Sequence, residues 1–389
     1  MKYEVESIVL KIANTCNLNC SYCYVFNKGD NHYVDLPIKM SEDIYTHLLN
    51  RIKEHCLSSG RKKFAIVFHG GEPLILGIPY YEKFLNKVND IFKDADIEIG
   101  YLMQSNGTLL TEEWAKFLVD NNIYIGFSID GYEEIHNQYR IYRTTKKGSF
   151  NDVVKGINIY KKYSPANGLS VANTDADPLK YYETMKEIGF NGVGILFLDH
   201  NYADPPEIDM QKTLSWFIQL FDIWFKDKSE NKLKFFNPFS TIMSLILGLD
   251  LAGNDAYGET LNNALLVLNN GEIQVTGCQK PGKEIKTYYV QHNNLDEVYT
   301  EKIFRDYYNV HQDDVLCKQC QLCVIKSICG GGRYSHRYSK ENQFDNPTVY
   351  CEVMKKLVMH IQNAIVAVLP KHVKDKTQIE ALCDEDFLS

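Results

Sequence analysis

Cys16, Cys20 and Cys23 stand in the run Thr15-Cys16-Asn17-Leu18-Asn19-Cys20-Ser21-Tyr22-Cys23-Tyr24, just after the apolar stretch Ile8–Ile12. Three thiolates this close, in a loop after a strand, can ligate three irons of a cubane cluster. Cubanes that only carry electrons take four cysteines, so the missing fourth ligand reserves one iron for a substrate or cofactor. Catalytic metals keep such an open position, whereas structural sites are closed. A zinc site is the competing reading. Zinc motifs usually join two Cys-x2-Cys or His pairs, and no such partner lies near Cys23.

Further polar groups recur at the ends of apolar runs. His69-Gly70-Gly71-Glu72-Pro73 follows Phe64–Phe68. Glycines let a backbone approach a ligand closely, and the Glu72 carboxylate beside them can hold an ammonium. Asn106-Gly107 follows the third run, and Ser128-Ile129-Asp130-Gly131 closes the fourth. Turn chemistry competes at both places, because Asn-Gly and Asp-Gly are common turn dipeptides. Arg140 and Arg143, beyond His136, can pair bidentately with a carboxylate, or simply lie on a solvated helix face. A second set of thiols follows: Cys278, Cys317, Cys320, Cys323 and Cys329, then Gly330-Gly331-Gly332, then Cys351. Ribbon-like zinc sites use similar spacings, so zinc stays open for Cys317 to Cys329.

The elements that must carry these groups are legible. Apolar runs at Ile8–Ile12, Phe64–Phe68, Ile97–Met103, Ile123–Ile129, Leu169–Ala172 and Val193–Leu198 alternate with helical patterns. The helices span 41–56, with Ser41 placed to cap, then 80–92, 111–119 and 150–160. Strands alternating with helices predict parallel βαβ units. Six such units suit an α/β partial barrel, with chemistry at the carboxyl ends of its strands. Pro205 and Pro206 break the rhythm. Helical segments follow at 209–226, 239–249 and 353–368. The expected division is 1–235 for the barrel, 236–370 for the cysteine-rich region, and 371–389 for a solvated acidic tail.

At 389 residues, with 44% apolar and 24% charged, the chain reads as a globular protein with a substantial core. No run approaches the roughly 18 apolar residues that span a bilayer, and Met1-Lys2-Tyr3-Glu4 lacks a secretion signal. A cytoplasmic location is expected. Its cysteines then read as ligands rather than disulfides, with Cys56 and Cys383 as plain residues. The net charge of −8 disfavours a nucleic-acid partner.

The Cys-x3-Cys-x2-Cys spacing with Tyr22, together with Gly70-Gly71-Glu72-Pro73, resembles the signature of the radical S-adenosylmethionine (SAM) enzymes. The resemblance implies that SAM's amino and carboxylate groups chelate the open iron of a [4Fe–4S] cluster. The cluster reduces SAM, and a 5′-deoxyadenosyl radical forms. Gly70, Gly71 and Glu72 would bind the methionine amino group. Asn106 and Ser128 would serve the ribose and carboxylate, and Asp130 would shape the turn. Cys320, Cys323, Cys329 and Cys351 resemble the auxiliary-cluster (SPASM) extension and match the set that fully ligates an outer [4Fe–4S] cluster. For an inner cluster, the pattern expects a cysteine where Arg333 stands. Cys278 and Cys317 are left over, as orphan thiols or ligands of an incomplete cluster.

Leu196–Pro206 and Cys329–Tyr338, continued by Phe344–Cys351, resemble maturases that build cyclophanes in ribosomal peptides. That likeness implies abstraction of a side-chain β-hydrogen and attack of the carbon radical on an aromatic ring. Its substrate would be a precursor peptide with leader and core, and its electron donor a flavodoxin or ferredoxin. Asp199 and Asp204 are base candidates, or caps of the helix near residue 209. The rival within the superfamily is anaerobic sulfatase maturation, against which Gln279 counts, standing where an Asp is expected. A thioether-forming or epimerising maturase and a noncatalytic zinc scaffold compete as well. About fifteen residues precede Cys16, so the leader is expected to bind the main body or a second protein.

Overall fold

The computed structural model describes residues 3–27, 32–205, 209–249, 256–275 and 286–387. The chain gathers into two compact units. The first comprises Met1–Ser170, Ile188–Asn191 and Asn263–Arg305, and the second Val171–Glu187, Gly192–Asn262 and Asp306–Ser389.

The first unit is a parallel sheet backed by helices. Strands β1 (Ser7–Ala13), β2 (Lys63–Gly70), β3 (Glu98–Ser105), β4 (Ile123–Ser128) and β5 (Asn167–Val171) lie in that order, each parallel to the next. Helices α1 (Glu42–Ser59), α2 (Ile78–Phe92), α3 (Glu112–Asp120), α4 (Glu133–Tyr139) and α5 (Phe150–Tyr160) make the crossovers. The two-residue period of a strand decides which side chains are covered. Ile8, Leu10 and Ile12 of β1 are fully buried, as are Ile66 and Phe68 of β2. Phe68 stacks edge-on against Tyr81 and Phe84 of α2. Ser41 caps α1 as expected, its hydroxyl accepting from Ile44 N at 3.3 Å.

The chain continues as α6 (Pro178–Ile188), β6 (Gly192–Leu196), α7 (Met210–Lys226), β7 (Phe235–Asn237) and α8 (Phe239–Ile246). In the second unit β6 pairs parallel with β7. Trp224, Phe236 and Phe239 interlock there, with ring centroids 5.3–6.3 Å apart.

The expected cut near residue 235 falls inside the second unit. The chain then returns to the first sheet, because β8 (Ala264–Val267) adds parallel to β1. Short strands β9 (Glu272–Gln274) and β10 (Tyr288–Tyr289) extend that edge antiparallel. The remainder is mostly short helices: α9 (Lys302–Tyr308), α10 (Lys318–Gln321) and α11 (Lys326–Cys329), then α12 (Cys351–Val368) and α13 (Lys371–Thr377). Helix α12 packs on α7 and α8. The end of the chain is not a free tail. Asn363 hydrogen-bonds Leu382 through both its amide groups, and Lys356 pairs with Asp384. Among the described residues no helix is long and apolar enough to cross a membrane.

Candidate active site

The turn after β2 is built against the approach to the cysteine loop. Gly70 has φ +123°, and a Cβ there would stand 2.2 Å from the Ala13 carbonyl oxygen. At Gly71 the corresponding approach, to Thr15 O, is 2.0 Å. Gly71 N donates to Ala13 O at 2.8 Å and Glu72 N to Thr15 O at 2.9 Å. Both glycines are therefore required, because no side chain fits between the two backbones. The contact sets where the chain entering Cys16 runs.

Glu72 is 1% exposed. Its carboxylate accepts from Leu74 N at 3.0 Å, Ser105 Oγ at 2.8 Å and Asn106 N at 2.7 Å, tying the end of β2 to that of β3. Burial nevertheless raises its pKa above the ordinary carboxylate value. Asn106 turns toward the cysteines. Its Nδ2 lies 3.8 Å from Cys16 Sγ and 2.9 Å from Asn17 Oδ1.

Cys16, Cys20 and Cys23 converge in the first unit, close enough that Cys20 and Cys23 each disfavour charge on Cys16. Burial is the larger effect and pushes the Cys16 thiol up to about 12. Beside them Tyr22 donates to Asp130 Oδ2 and accepts from Arg140 Nη1 at 2.8 Å. Asp130 is 2% exposed, and its backbone N–H donates to His136 Nδ1 at 3.2 Å. Burial opposes the charge of Arg140, but Tyr22, Cys20 and Asp130 outweigh it. Arg140 Nε is buried with no hydrogen-bond partner among the described residues. Arg143 lies over the Phe26 ring instead. Ser128 Oγ, at the end of β4, accepts from Gln104 Nε2 at 2.8 Å.

The second unit gathers Cys320, Cys323, Cys329 and Cys351. Cys329 is pushed up to about 12 by burial and by the proximity of Cys351 and Cys323. Cys317 joins them, its pKa lowered by a hydrogen bond from Cys320. Cys278 lies outside the described residues. Asp199 accepts from Ser335 Oγ at 2.9 Å and lies 3.5 Å from His336 Nε2. Burial works against its charge, but His336, Ser335 and Arg333 hold the carboxyl below its usual range. Asp204 is more exposed and sits 3.5 Å from His200. Neither caps α7. Asp209 does, accepting from Gln211 N at 2.8 Å and Lys212 N at 3.2 Å.

These residues fit iron–sulfur clusters and SAM. A zinc ion draws its ligands onto one point, about 2.3 Å from each sulfur. A cubane holds each thiolate at a separate iron and so asks for wider spacing. The buried thiols, costly to ionise alone, become favourable ligands once iron supplies positive charge. The orphaned Arg140 donor beside Cys20 suits a ligand carboxylate, as SAM carries.

Spacing pointed to the cysteines and the glycine turn. It did not reveal the bridge that joins Tyr22 to Asp130 and Arg140 across the sequence, or the cage that folds Gly330, Gly331 and Gly332 back onto Arg337. Local sequence marks Arg337 only as part of the Cys329–Tyr338 stretch and gives His136 no role.

Comparison with known proteins agrees with this geometry. Residues 10–188 match the model of the Radical SAM superfamily. The chain is 28% identical over 375 residues to a cysteine-type anaerobic sulfatase-maturating enzyme of Clostridium novyi, covering 90% of this chain and 94% of that one. A serine-type enzyme of Bacteroides thetaiotaomicron is 36% identical over 46% of this chain and 43% of its own length. Among solved structures, native anSMEcpe with bound AdoMet and the Kp18Cys peptide superposes with a TM-score of 0.78 at 23% identity, over 93% of this chain and 99% of that one. Streptococcus suis SuiB bound to precursor peptide SuiA superposes with a TM-score of 0.58 at 14% identity, over 90% and 76%. The chain therefore has the radical SAM α/β fold, and it is residues 10–188 that match the Radical SAM superfamily model.

Proposed function

We propose that this chain is a radical SAM enzyme that modifies a peptide, of the sulfatase-maturating type. One observation carries the reading: the likeness to the Clostridium novyi enzyme runs through 94% of that protein's length rather than stopping at the SAM-binding half. It favours this type over the cyclophane-forming type expected from Leu196–Pro206 and Cys329–Cys351.

When bound, the cluster and SAM supply hydrogen-atom abstraction. The chain's own residues do the rest. Cys16, Cys20 and Cys23 hold three irons, while the Gly70-Gly71 turn fixes their loop. Arg140 and Ser128 stand ready for SAM's carboxylate and Asn106 for its ribose. Cys320, Cys323, Cys329 and Cys351 hold an auxiliary [4Fe–4S] cluster. Asp199, charged and partly exposed, is the candidate to accept a proton from the substrate. A flavodoxin or ferredoxin would deliver the electrons.

The cyclophane reading keeps one support of its own. Gln279 stands beside Cys278 where the sulfatase-maturating pattern expects an Asp. The test is anaerobic incubation of reconstituted protein with SAM, dithionite and a cysteine-containing sulfatase peptide, followed by mass spectrometry. A target cysteine that no longer reacts with iodoacetamide, with aromatic residues unlinked, supports the proposal. A precursor peptide that loses two hydrogens, keeps its thiols and gains a ring-to-Cβ bond overturns it in favour of the cyclophane. A colourless, zinc-loaded protein overturns both.

A further inference from the structure

Arg337 is a buried cation surrounded by neutral acceptors. It is 1% exposed. Its Nε donates to Gly331 O at 3.0 Å, Nη1 to Val310 O at 2.8 Å, and Nη2 to Gly330 O and Gly332 O, each at 2.7 Å. Three consecutive glycines make this cage possible. Gly330, Gly331 and Gly332 have φ of +57°, +77° and +71°, a run of left-handed residues that side chains resist. A Cβ on Gly331 would stand 2.8 Å from Arg337 Nη2, and one on Gly330 would stand 2.0 Å from Gly258 O.

Carbonyls satisfy the N–H groups but do not neutralise the charge, and an uncompensated buried charge is costly. Among the described residues no carboxylate pairs with Arg337. Burial lowers its pKa below the usual guanidinium value, and the Gly330 carbonyl it holds follows Cys329 directly in the chain. The groups that work against burial are Cys320 and Cys329 first, with Tyr334 and Cys317 after them. Their negative charge is strong only when they are thiolates, which is the state metal binding requires.

We propose that Arg337 is the counter-charge of an iron–sulfur cluster held by Cys320, Cys323, Cys329 and Cys351, strengthening its hold on iron and raising its reduction potential. One-electron reduction adds a negative charge to such a cluster, so a fixed cation nearby stabilises the reduced form more than the oxidised one. Net charge around the sulfurs is one of the levers that set cluster potentials. Arg337 acts through the cysteines and is a positioning residue. The proposal rests on the cluster assignment and not on which peptide is modified.

The test uses full-length protein with Cys16→Ala, Cys20→Ala and Cys23→Ala, so that the auxiliary cluster is the sole iron signal. Midpoint potential is followed by EPR during a dithionite titration, and iron release to a chelator is timed. Arg337→Met should move the potential negative and release iron at least tenfold faster, while Arg337→Lys, which keeps the charge, stays near the parent protein on both. Parent-like potential and iron retention in Arg337→Met overturn the proposal. So does equal damage in Arg337→Lys, which would make the cage a structural brace. Should Arg337→Met be insoluble, Arg337→Lys decides alone: parent-like behaviour supports the counter-charge, and loss of iron overturns it. A parent protein that binds no auxiliary iron also overturns it.

Discussion

Gly71 and Thr15 meet backbone to backbone, so closely that a methyl group on Gly71 would lie 2.0 Å from the Thr15 carbonyl oxygen. The turn after β2 thereby aligns the chain one residue before Cys16. Gly71→Ala must push these backbones apart, at a cost of about 1–3 kcal/mol by analogy with overpacked cores. Reconstituted Gly71→Ala should lose iron at the N-terminal cysteines while keeping it at Cys320, Cys323, Cys329 and Cys351. Iron assay alongside a Cys351→Ala control checks this, and full N-terminal occupancy would sink the idea.

Tyr22 links Asp130 to Arg140, donating to one and accepting from the other. Tyr22→Phe strips a partner from two buried charged groups, which should cost about 1–3 kcal/mol. Urea unfolding of the apoprotein measures it. An unchanged midpoint would mean that water replaces the hydroxyl without penalty.

His136 is fully buried, and burial drives its pKa down from 6.5 to about 2. His69 is lowered to about 4, again mainly by burial. A histidine held neutral in the folded state contributes stability above its unfolded pKa and loses it as pH falls. Apoprotein stability should thus drop between pH 6.5 and 4, each group contributing about 1.4 kcal/mol per pH unit. His136→Phe should lower stability at neutral pH but flatten that slope by about half, since one of the two protons is removed. Denaturant melts at several pH values decide it, and an unaltered slope contradicts the assignment.

Asp209 caps α7, so Asp209→Ala should destabilise the chain by about 1 kcal/mol. Asp204→Ala should change little, because Asp204 is a solvated partner of His200. Equal melting losses in both variants would refute the division of roles.

Asp199→Asn should slow peptide modification about 10²-fold, the scale of lost general-base catalysis, with iron content unchanged. Single-turnover assays under excess SAM test it. Parent-like turnover removes Asp199 from consideration.

The fold was legible where the chemistry is local. The alternation of Ile8, Leu10 and Ile12 marks β1 because a strand's period is two, and Ser41 marks the start of α1 because a helix needs a cap. The division into units was not legible, and the cut expected at 235 falls inside the second unit. Residues 264–267 join β1 through backbone hydrogen bonds, and such pairing leaves no local pattern tying Ala264 to Ser7. The cap of α7 illustrates the same limit: Asp199, Asp204 and Asp209 are alike in type, and only backbone direction selects one.

By itself the sequence determined the candidate ligand types and their order: three thiols in a Cys-x3-Cys-x2-Cys run, a glycine turn, and a second thiol set from Cys278 to Cys351. Those follow from which side chains can bind iron and from spacing along one chain. Only the tertiary structure decided that Glu72 binds the ends of two strands together, that Tyr22 bridges Asp130 and Arg140, and that Arg337 is caged by glycine carbonyls. Each joins groups whose contact depends on how the chain folds back. Burial then sets their charge, and burial is a property of the folded whole.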